Sequence, residues 1–276
     1  MLAAMRISLN LTNFSWPDGV AGLLPVVQAA EDAGVDTVWV PDHLIQADPF
    51  ASVEEPVLEA YTTLGFLAAR TARVRLGTMV TGAPYRPPAL LIKAVTTLDV
   101  LSGGRAWLGI GSGYHEAEAS MMGLPMPPVA ERFERLEEIL RLAHRMWAGD
   151  ESPFEGRHYR LTRPLNIPNA AKRPPILIGG SGEKKTLRYV ARYGDACNLP
   201  DIPDGGATLR HKLAVLAAHC AEEGRPFEAV EKTVASRFDP ATLPDRVAEL
   251  SALGVDHLVL ITTGPWTVEA VTSIRL

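Results

Sequence analysis

The chain predicts a (β/α)8 barrel, one domain over residues 1–276, and three observations carry that expectation. A rhythm of amphipathic helix, glycine, short apolar strand and polar turn recurs. AAEDAGVDTVWVP at Ala29–Pro41 and LSALGVDHLVLIT at Leu250–Thr262 share a helix closing at Gly34 or Gly254, a Val-Asp pair and a strand, and RYGDACNL at Arg192–Leu199 is a third variant. Glycine in that place ends a helix in the left-handed conformation, and the short αβ link that follows belongs to a parallel sheet. Eight strands of this kind alternate with helices. The length of 276 residues and an apolar content of 47% supply one large core, with no composition break to mark a second domain. A doubly wound open sheet is the alternative architecture.

In chain order, Arg6–Leu11 reads as the first strand, with Met5 a candidate start and no signal-peptide pattern before it. Helix Gly22–Ala33 leads to strand Thr37–Val40, where TVWV is β-branched at three of four positions. Helix Val57–Thr71, strand Val74–Val80, helix Ala89–Leu101 and strand Ala106–Ile110 follow. Gly111–Val129, rich in Gly, Met and Pro, is expected as a loop inserted after strand four. Helix Ala130–Ala148 opens with ERFERLEE at Glu131–Glu138, expected as a solvated face, while its Ile139, Leu140 and Met146 suit the barrel's own core or a partner subunit. Glu151–Arg173 reads as a small hairpin before strand five. That strand, Ile176–Ile178, follows Pro174-Pro175. Helix Glu183–Tyr193, strand Ala196–Leu199, helix Ala207–Glu223, a weak strand at Thr233–Arg237, helix Pro244–Leu253 and strand His257–Ile261 complete the count, and a last helix starts near Thr267.

The totals narrow the partners. A formal net charge of −5, with Lys184, Lys185 and Arg188 as the one tight basic cluster, argues against a nucleic-acid track. No apolar run reaches the length of a membrane span. Cys197 and Cys220 lack CxxC spacing and lie in apolar elements, so buried free thiols in a reducing cytoplasm are expected. His115, Glu116 and Glu118 match no metal-ligand spacing, and no metal is expected. No GxSxG elbow points to a serine hydrolase.

A barrel places its chemistry at the C-terminal ends of its strands. Those ends hold Asn10–Asn13, then Pro41-Asp42-His43, Gly77–Gly82, Gly109–Glu116, Gly179–Gly182 and Asn198. His43 suits proton transfer near neutral pH, or a structural hydrogen bond. In Gly179-Gly180-Ser181-Gly182 the backbone turns tightly before a helix expected near Glu183. Its free N–H groups and dipole suit a phosphate, although an ordinary βα turn reads the same way. Phe14, Trp16, Tyr85, Tyr114 and Trp266 are candidates for an aromatic pocket wall.

Four runs then line up in order: Pro41-Asp42-His43, LGTMVTG at Leu76–Gly82, SGGR to LGIGSG at Ser102–Gly113, and GGSGEKKTLRYVARYGDACN at Gly179–Asn198. Together they resemble the luciferase-like monooxygenase superfamily, most closely its F420-dependent oxidoreductases, over nearly the whole chain. The resemblance implies a TIM barrel binding coenzyme F420, or alternatively FMN, at the strand ends. It implies hydride exchange with a small-molecule substrate, with His43 handling a proton. The alternatives are a two-component monooxygenase fed with FMNH2 by a separate reductase, and a paralogue that binds flavin without turnover. Asp42 would lie beside the cofactor, the Met79–Val80 bond would be a non-prolyl cis peptide behind the ring, and Gly111 and Asn198 would border it. Gly179, Gly180, Ser181, Gly182 and Glu183 would take the cofactor phosphate. Dimers are usual in the family. Two departures stand out. Tyr114 occupies the slot of an acid found in the sugar-phosphate dehydrogenases, and Thr233–Pro244 carries almost no insertion, which implies a more open site.

Overall fold

The computed structural model of the protein describes residues 5–274. Eight parallel strands close on themselves: β1 (Arg6–Asn10), β2 (Thr37–Val40), β3 (Arg75–Thr78), β5 (Ala106–Gly111), β8 (Ile176–Gly179), β9 (Ala196–Pro200), β10 (Glu231–Arg237) and β11 (His257–Ile261). β1 pairs with β2 on one side and β11 on the other, and β3 pairs with β5 to complete the ring. β4 (Thr81–Gly82) continues β3 along β5, and β6 (Phe154–Glu155) with β7 (Arg160–Leu161) forms the expected antiparallel hairpin. β2, β5, β8 and β11 are nearly all-apolar runs because both of their faces are buried.

The helices are α1 (Leu23–Asp32), α2 (Ala60–Ala68), α3 (Pro88–Ser102), α4 (Glu116–Met122), α5 (Val129–Trp147), α6 (Thr186–Tyr193), α7 (Ala207–Glu222), α8 (Leu243–Ala252) and α9 (Val268–Thr272). All but α4 form the outer layer, their apolar faces packed on the strands in one continuous core. α5 turns Leu136, Ile139, Leu140, Ala143 and Met146 inward, so that stripe serves the barrel itself. No helix of the described residues is long and apolar enough to cross a membrane.

Inside the ring, Trp39, Trp107, Leu177, Ala196 and Val259 form a second core, with Met79, Val80 and Ala235 above it. The two indoles meet edge to face with centroids 5.7 Å apart, and Trp39 Nε1 donates to Ser8 Oγ at 3.0 Å. A Cβ on Gly77 would lie 2.6 Å from Trp39 Cζ3, so only glycine leaves room for both rings. Each buried indole removes roughly 150–250 Å² from water, which makes this plug a main source of barrel rigidity.

Several expectations need correction. Strand three does not run unbroken from Val74 to Val80: it stops at Thr78, and a cis Met79–Val80 bond precedes β4. Gly111–Val129 is not all loop, since it contains α4, capped by His115 Nδ1 accepting from the Glu118 N–H. The helix after β8 begins at Thr186 rather than Glu183. Glu183 is held out of it by α7, where Lys212 and His211 bind its carboxylate and His219 Nε2 meets its carbonyl oxygen. The acidic face of α5 is not uniformly solvated: buried Glu138 accepts the backbone N–H groups of Arg157, His158 and Tyr159 and so anchors the hairpin. Phe14, Trp16 and Trp266 do not wall a pocket. They are buried in the outer core, where Trp16 Nε1 donates to the Trp266 carbonyl and Trp266 Nε1 to the Asn10 carbonyl. A buried indole usually finds a partner for its N–H, and these two find backbone.

Candidate active site

The C-terminal mouth of the barrel is where the expected residues gather. β2 delivers Asp42 and His43 to its rim, and α4 rises opposite to present Glu118. His43 Nδ1 lies 2.6 Å from Glu118 Oε2. The other carboxylate oxygen accepts the Leu44 N–H at 2.6 Å, and Tyr85 OH donates to Oε2 at 3.0 Å. Burial by itself would raise the Glu118 pKa, but the hydrogen bonds from His43, the Leu44 N–H and Tyr85 outweigh it and hold the carboxyl below its usual range. An ionised carboxylate only accepts, so His43 carries a hydrogen on Nδ1, and in the neutral imidazole that leaves the lone pair on Nε2. Nε2 faces Tyr114 OH at 3.4 Å. The Tyr114 ring is largely exposed, but partial burial of its phenol, then the charges of Glu118 and Asp48, push it up from its ordinary value, and it is a neutral donor at physiological pH.

Asp42 is buried and clasped by both terminal nitrogens of Arg86, which also reaches Glu59 at 2.7 Å. Arg86 lies over the Tyr61 ring at 4.9 Å, and Tyr61 OH bonds Thr81 Oγ1 at 2.8 Å. Asp42 therefore sits in a neutralised pair beneath the rim, where it fixes the backbone that carries His43.

The cis Met79–Val80 bond lies between these groups and the next strands. Val80 wedges between Gly179 and Gly111: a Cβ on Gly179 would lie 2.9 Å from Val80 Cγ1, and one on Gly111 3.1 Å from Val80 Cγ2. Both glycines keep the floor flat. Above that floor Asp42, His43, Met79, Val80, Tyr85, Tyr114, Gly111, Gly179, Gly180 and Asn198 enclose a cavity of about 330 Å³. It continues past Gly180 and Asn198 into an open cavity of about 800 Å³ bordered by Ser181, Asp201, Arg237 and Arg246. On the other side His43, Met79 and Tyr114 also border a smaller cavity of about 250 Å³. The mouth is one cleft of three compartments, and His43 stands at the junction of two. The largest compartment contains none of the proton-handling groups.

The turn after β8 brings Gly180 and Ser181 to this cleft. Gly180 has φ +117°, and no hydrogen-bond partner is found among the described residues for the backbone N–H groups of Ser181, Gly182 and Glu183. The basic cluster does not converge on it: Lys185 Nζ lies 5.4 Å from the Phe133 ring centre, and the Arg188 guanidinium lies over Tyr189. Any anion there would rest on backbone N–H groups. Asn198 donates to Thr233 Oγ1 at 2.9 Å, which fixes its amide beside the turn. Among the described residues no group of three His, Cys, Asp or Glu side chains could hold a metal ion.

These residues fit a flat heterocycle with a phosphate arm. The two-glycine floor accepts a ring, and unpartnered backbone donors lie one compartment away. Sequence reasoning found His43 but missed Glu118 as its partner, because 75 positions separate them and only α4 brings them together. Tyr85 and Arg86 were also missed as members of this network. The PYR tripeptide between β4 and α3 was the available signal.

The sequence matches the luciferase-like monooxygenase family over residues 5–257. The F420-dependent glucose-6-phosphate dehydrogenase of Kineococcus radiotolerans is 36% identical over 167 residues, which are 60% of this chain and 48% of that protein. The F420-dependent hydroxymycolic acid dehydrogenase of Mycobacterium tuberculosis is 30% identical over 247 residues, 88% of this chain and 62% of its own length. The chain thus spans about half the length of the first curated relatives it matches. Among solved structures, an F420-dependent secondary alcohol dehydrogenase holding an F420-acetone adduct superposes with a TM-score of 0.84 at 17% identity, over 99% of this chain and 98% of that one. The monooxygenase RslO1 of Streptomyces bottropensis gives 0.78 at 18% identity, over 97% and 95%. At such identities these likenesses show the shared barrel fold.

Proposed function

The chain belongs to the luciferase-like monooxygenase family, and from that premise we propose that it is an oxidoreductase dependent on coenzyme F420, acting on a small organic alcohol or its carbonyl counterpart. The observation that carries the proposal is His43: its Nδ1 is fixed on Glu118, its Nε2 faces Tyr114 OH at 3.4 Å, and it stands between a flat-floored cavity and a second small one. When bound, the deazaflavin supplies the redox step by accepting or returning a hydride.

The chain's own part is orientation and proton handling. His43 Nε2 takes the hydroxyl proton as the alcohol is oxidised and returns it in the reverse direction. Glu118 keeps the imidazole in that tautomer and stabilises the imidazolium that forms. Tyr114 OH is close enough to donate to the substrate oxygen. Met79 and Val80 back the ring, with Gly111 and Gly179 as its floor. Ser181, Gly182 and Glu183, after the turn at Gly180, offer backbone N–H groups to the phosphate, and Asn198 borders both. The dehydrogenases similar in sequence are named as F420-dependent, which supports this choice over FMN.

Equilibrium binding of oxidised F420 and of FMN, followed side by side by fluorescence quenching, tests it. Micromolar or tighter F420 with weak FMN is the expected result. Tight FMN with weak F420 would replace the proposal with a two-component monooxygenase that needs a partner reductase. Binding of neither would remove the catalytic reading.

A further inference from the structure

The compartment of about 250 Å³ beside His43 has its own chemistry. Its walls are apolar at Ile45, Ala47, Pro49, Val57, Met79 and Ile261. Among its polar lining residues, Gln46 has both amide ends engaged, donating to the Thr12 carbonyl and accepting the Asp48 N–H. Asn10 differs: it is 5% exposed, and its Oδ1 is buried without any partner. A buried acceptor left unpaired is a standing penalty that a ligand's hydroxyl relieves.

The single guanidinium of this compartment is already occupied. Arg237 Nη2 lies 3.2 Å from both Asp48 oxygens, and Nη1 lies 3.2 Å from the Thr262 carbonyl. Its flat face covers the Phe50 ring at 5.2 Å. The other acid–base groups beside it are Asp48 and His43, and His43 is already bound to Glu118. A phosphate dianion placed here would meet no unpaired cation while losing its hydration. At ~30 Å³ per water the space equals about eight waters, too little for a long acyl chain.

We infer that this compartment selects a small uncharged substrate with a second hydroxyl, a diol or hydroxyketone, held by the Asn10 amide and screened from phosphate esters by the Arg237–Asp48 pair. The inference rests on the F420-dependent reading for turnover but not for binding. Asn10 would orient the substrate so that its reacting hydroxyl meets His43 Nε2. Asp48 acts indirectly, by keeping Arg237 neutralised.

The first test needs no cofactor. Ligand-observed NMR titrations of the apo protein with glycerol and with glycerol 3-phosphate should show saturable binding of the first and at least tenfold weaker binding of the second. In Asn10→Ala the glycerol affinity should fall about tenfold, while the F420 dissociation constant stays within twofold. Asp48→Asn should raise affinity for the phosphate ester tenfold or more. With F420 present, propane-1,2-diol should exceed propan-2-ol in kcat/KM by about tenfold, and Asn10→Ala should reduce that ratio to about one, chiefly through KM for the diol. Preference of the unaltered protein for glycerol 3-phosphate overturns the inference, as does an equal loss for both alcohols in Asn10→Ala. Failure of F420 to bind, with the glycerol ordering intact, would sink the redox reading and leave the pocket assignment standing.

Discussion

The two sides of the barrel mouth are built on different principles. On the side of β1 to β5, buried charges are held by side chains from distant elements: Glu118 by His43 and Tyr85, and Asp42 by Arg86. On the side of β8 to β11, the turn at Gly180 presents bare backbone, and only five residues link β10 to α8. The larger cavity opens there. A proton transfer needs its groups fixed to within a few tenths of an ångström, and a dense side-chain network achieves that. Holding a phosphate arm needs only donors of the right sign and room to reach them. Precision and reach are thus divided between the two sides.

Breaking the first side alone should give the largest effect. His43→Ala is expected to lower kcat by about 10²–10⁴-fold, the usual worth of a positioned acid–base group. F420 affinity should change less than threefold in the same variant. A comparable loss of affinity would show that His43 serves the cofactor and not the proton. Breaking the second side alone is done best through the ligand. A deazaflavin lacking its phosphate arm should bind roughly 10- to 100-fold more weakly, as expected for lost charge-assisted hydrogen bonds, with kcat little altered. If kcat falls in step, the two sides are coupled and the division fails.

The seam between them is the Val80 wedge. Gly179→Val crowds both Val80 methyls, and overpacking of this kind costs about 1–3 kcal/mol. Differential scanning calorimetry should show a lower Tm together with weakened F420 binding. A stable variant with normal binding would mean the floor is softer than described. The smallest effect concerns Glu118 and pH. Its folded pKa lies below the ordinary 4.5, so the stability its carboxylate contributes is fully present above 4.5 and is lost as pH falls through the folded value. The gap in urea stability between the unaltered protein and Glu118→Gln, about 1–3 kcal/mol at neutral pH, should narrow in acid. A gap that stays constant would assign the loss to packing instead.

The strands were legible because β2, β5, β9, β10 and β11 each follow a glycine-ended helix by a few residues, and most of the strands are short apolar runs, a pattern that one-dimensional reading handles well. β2 and β11 were read with their observed boundaries. Residue type at a strand end brought His43 and Gly179–Gly182 forward as candidates, and the cleft gathers His43, Gly179 and Gly180, while the cis Met79–Val80 bond was expected only through the family resemblance. Glu118 was out of reach because α4 is seven residues long and framed by Gly and Pro, so its local signal was that of a loop. Trp16 and Trp266 misled for the opposite reason. A ring buried in the outer core and a ring that lines a pocket look alike in sequence, and here the indole N–H groups are spent on backbone carbonyls.

The pairing of β1 with β11 has a consequence for how the protein is made. During synthesis the first strand leaves the ribosome more than two hundred residues before its second neighbour exists. Until His257–Ile261 emerges, the growing sheet has two unpaired borders, at β1 and at β10. The Trp266 indole then bonds the Asn10 carbonyl and fastens the newest segment to the oldest. Ring closure is accordingly a late event. In the meantime the nascent chain exposes unpaired strand edges.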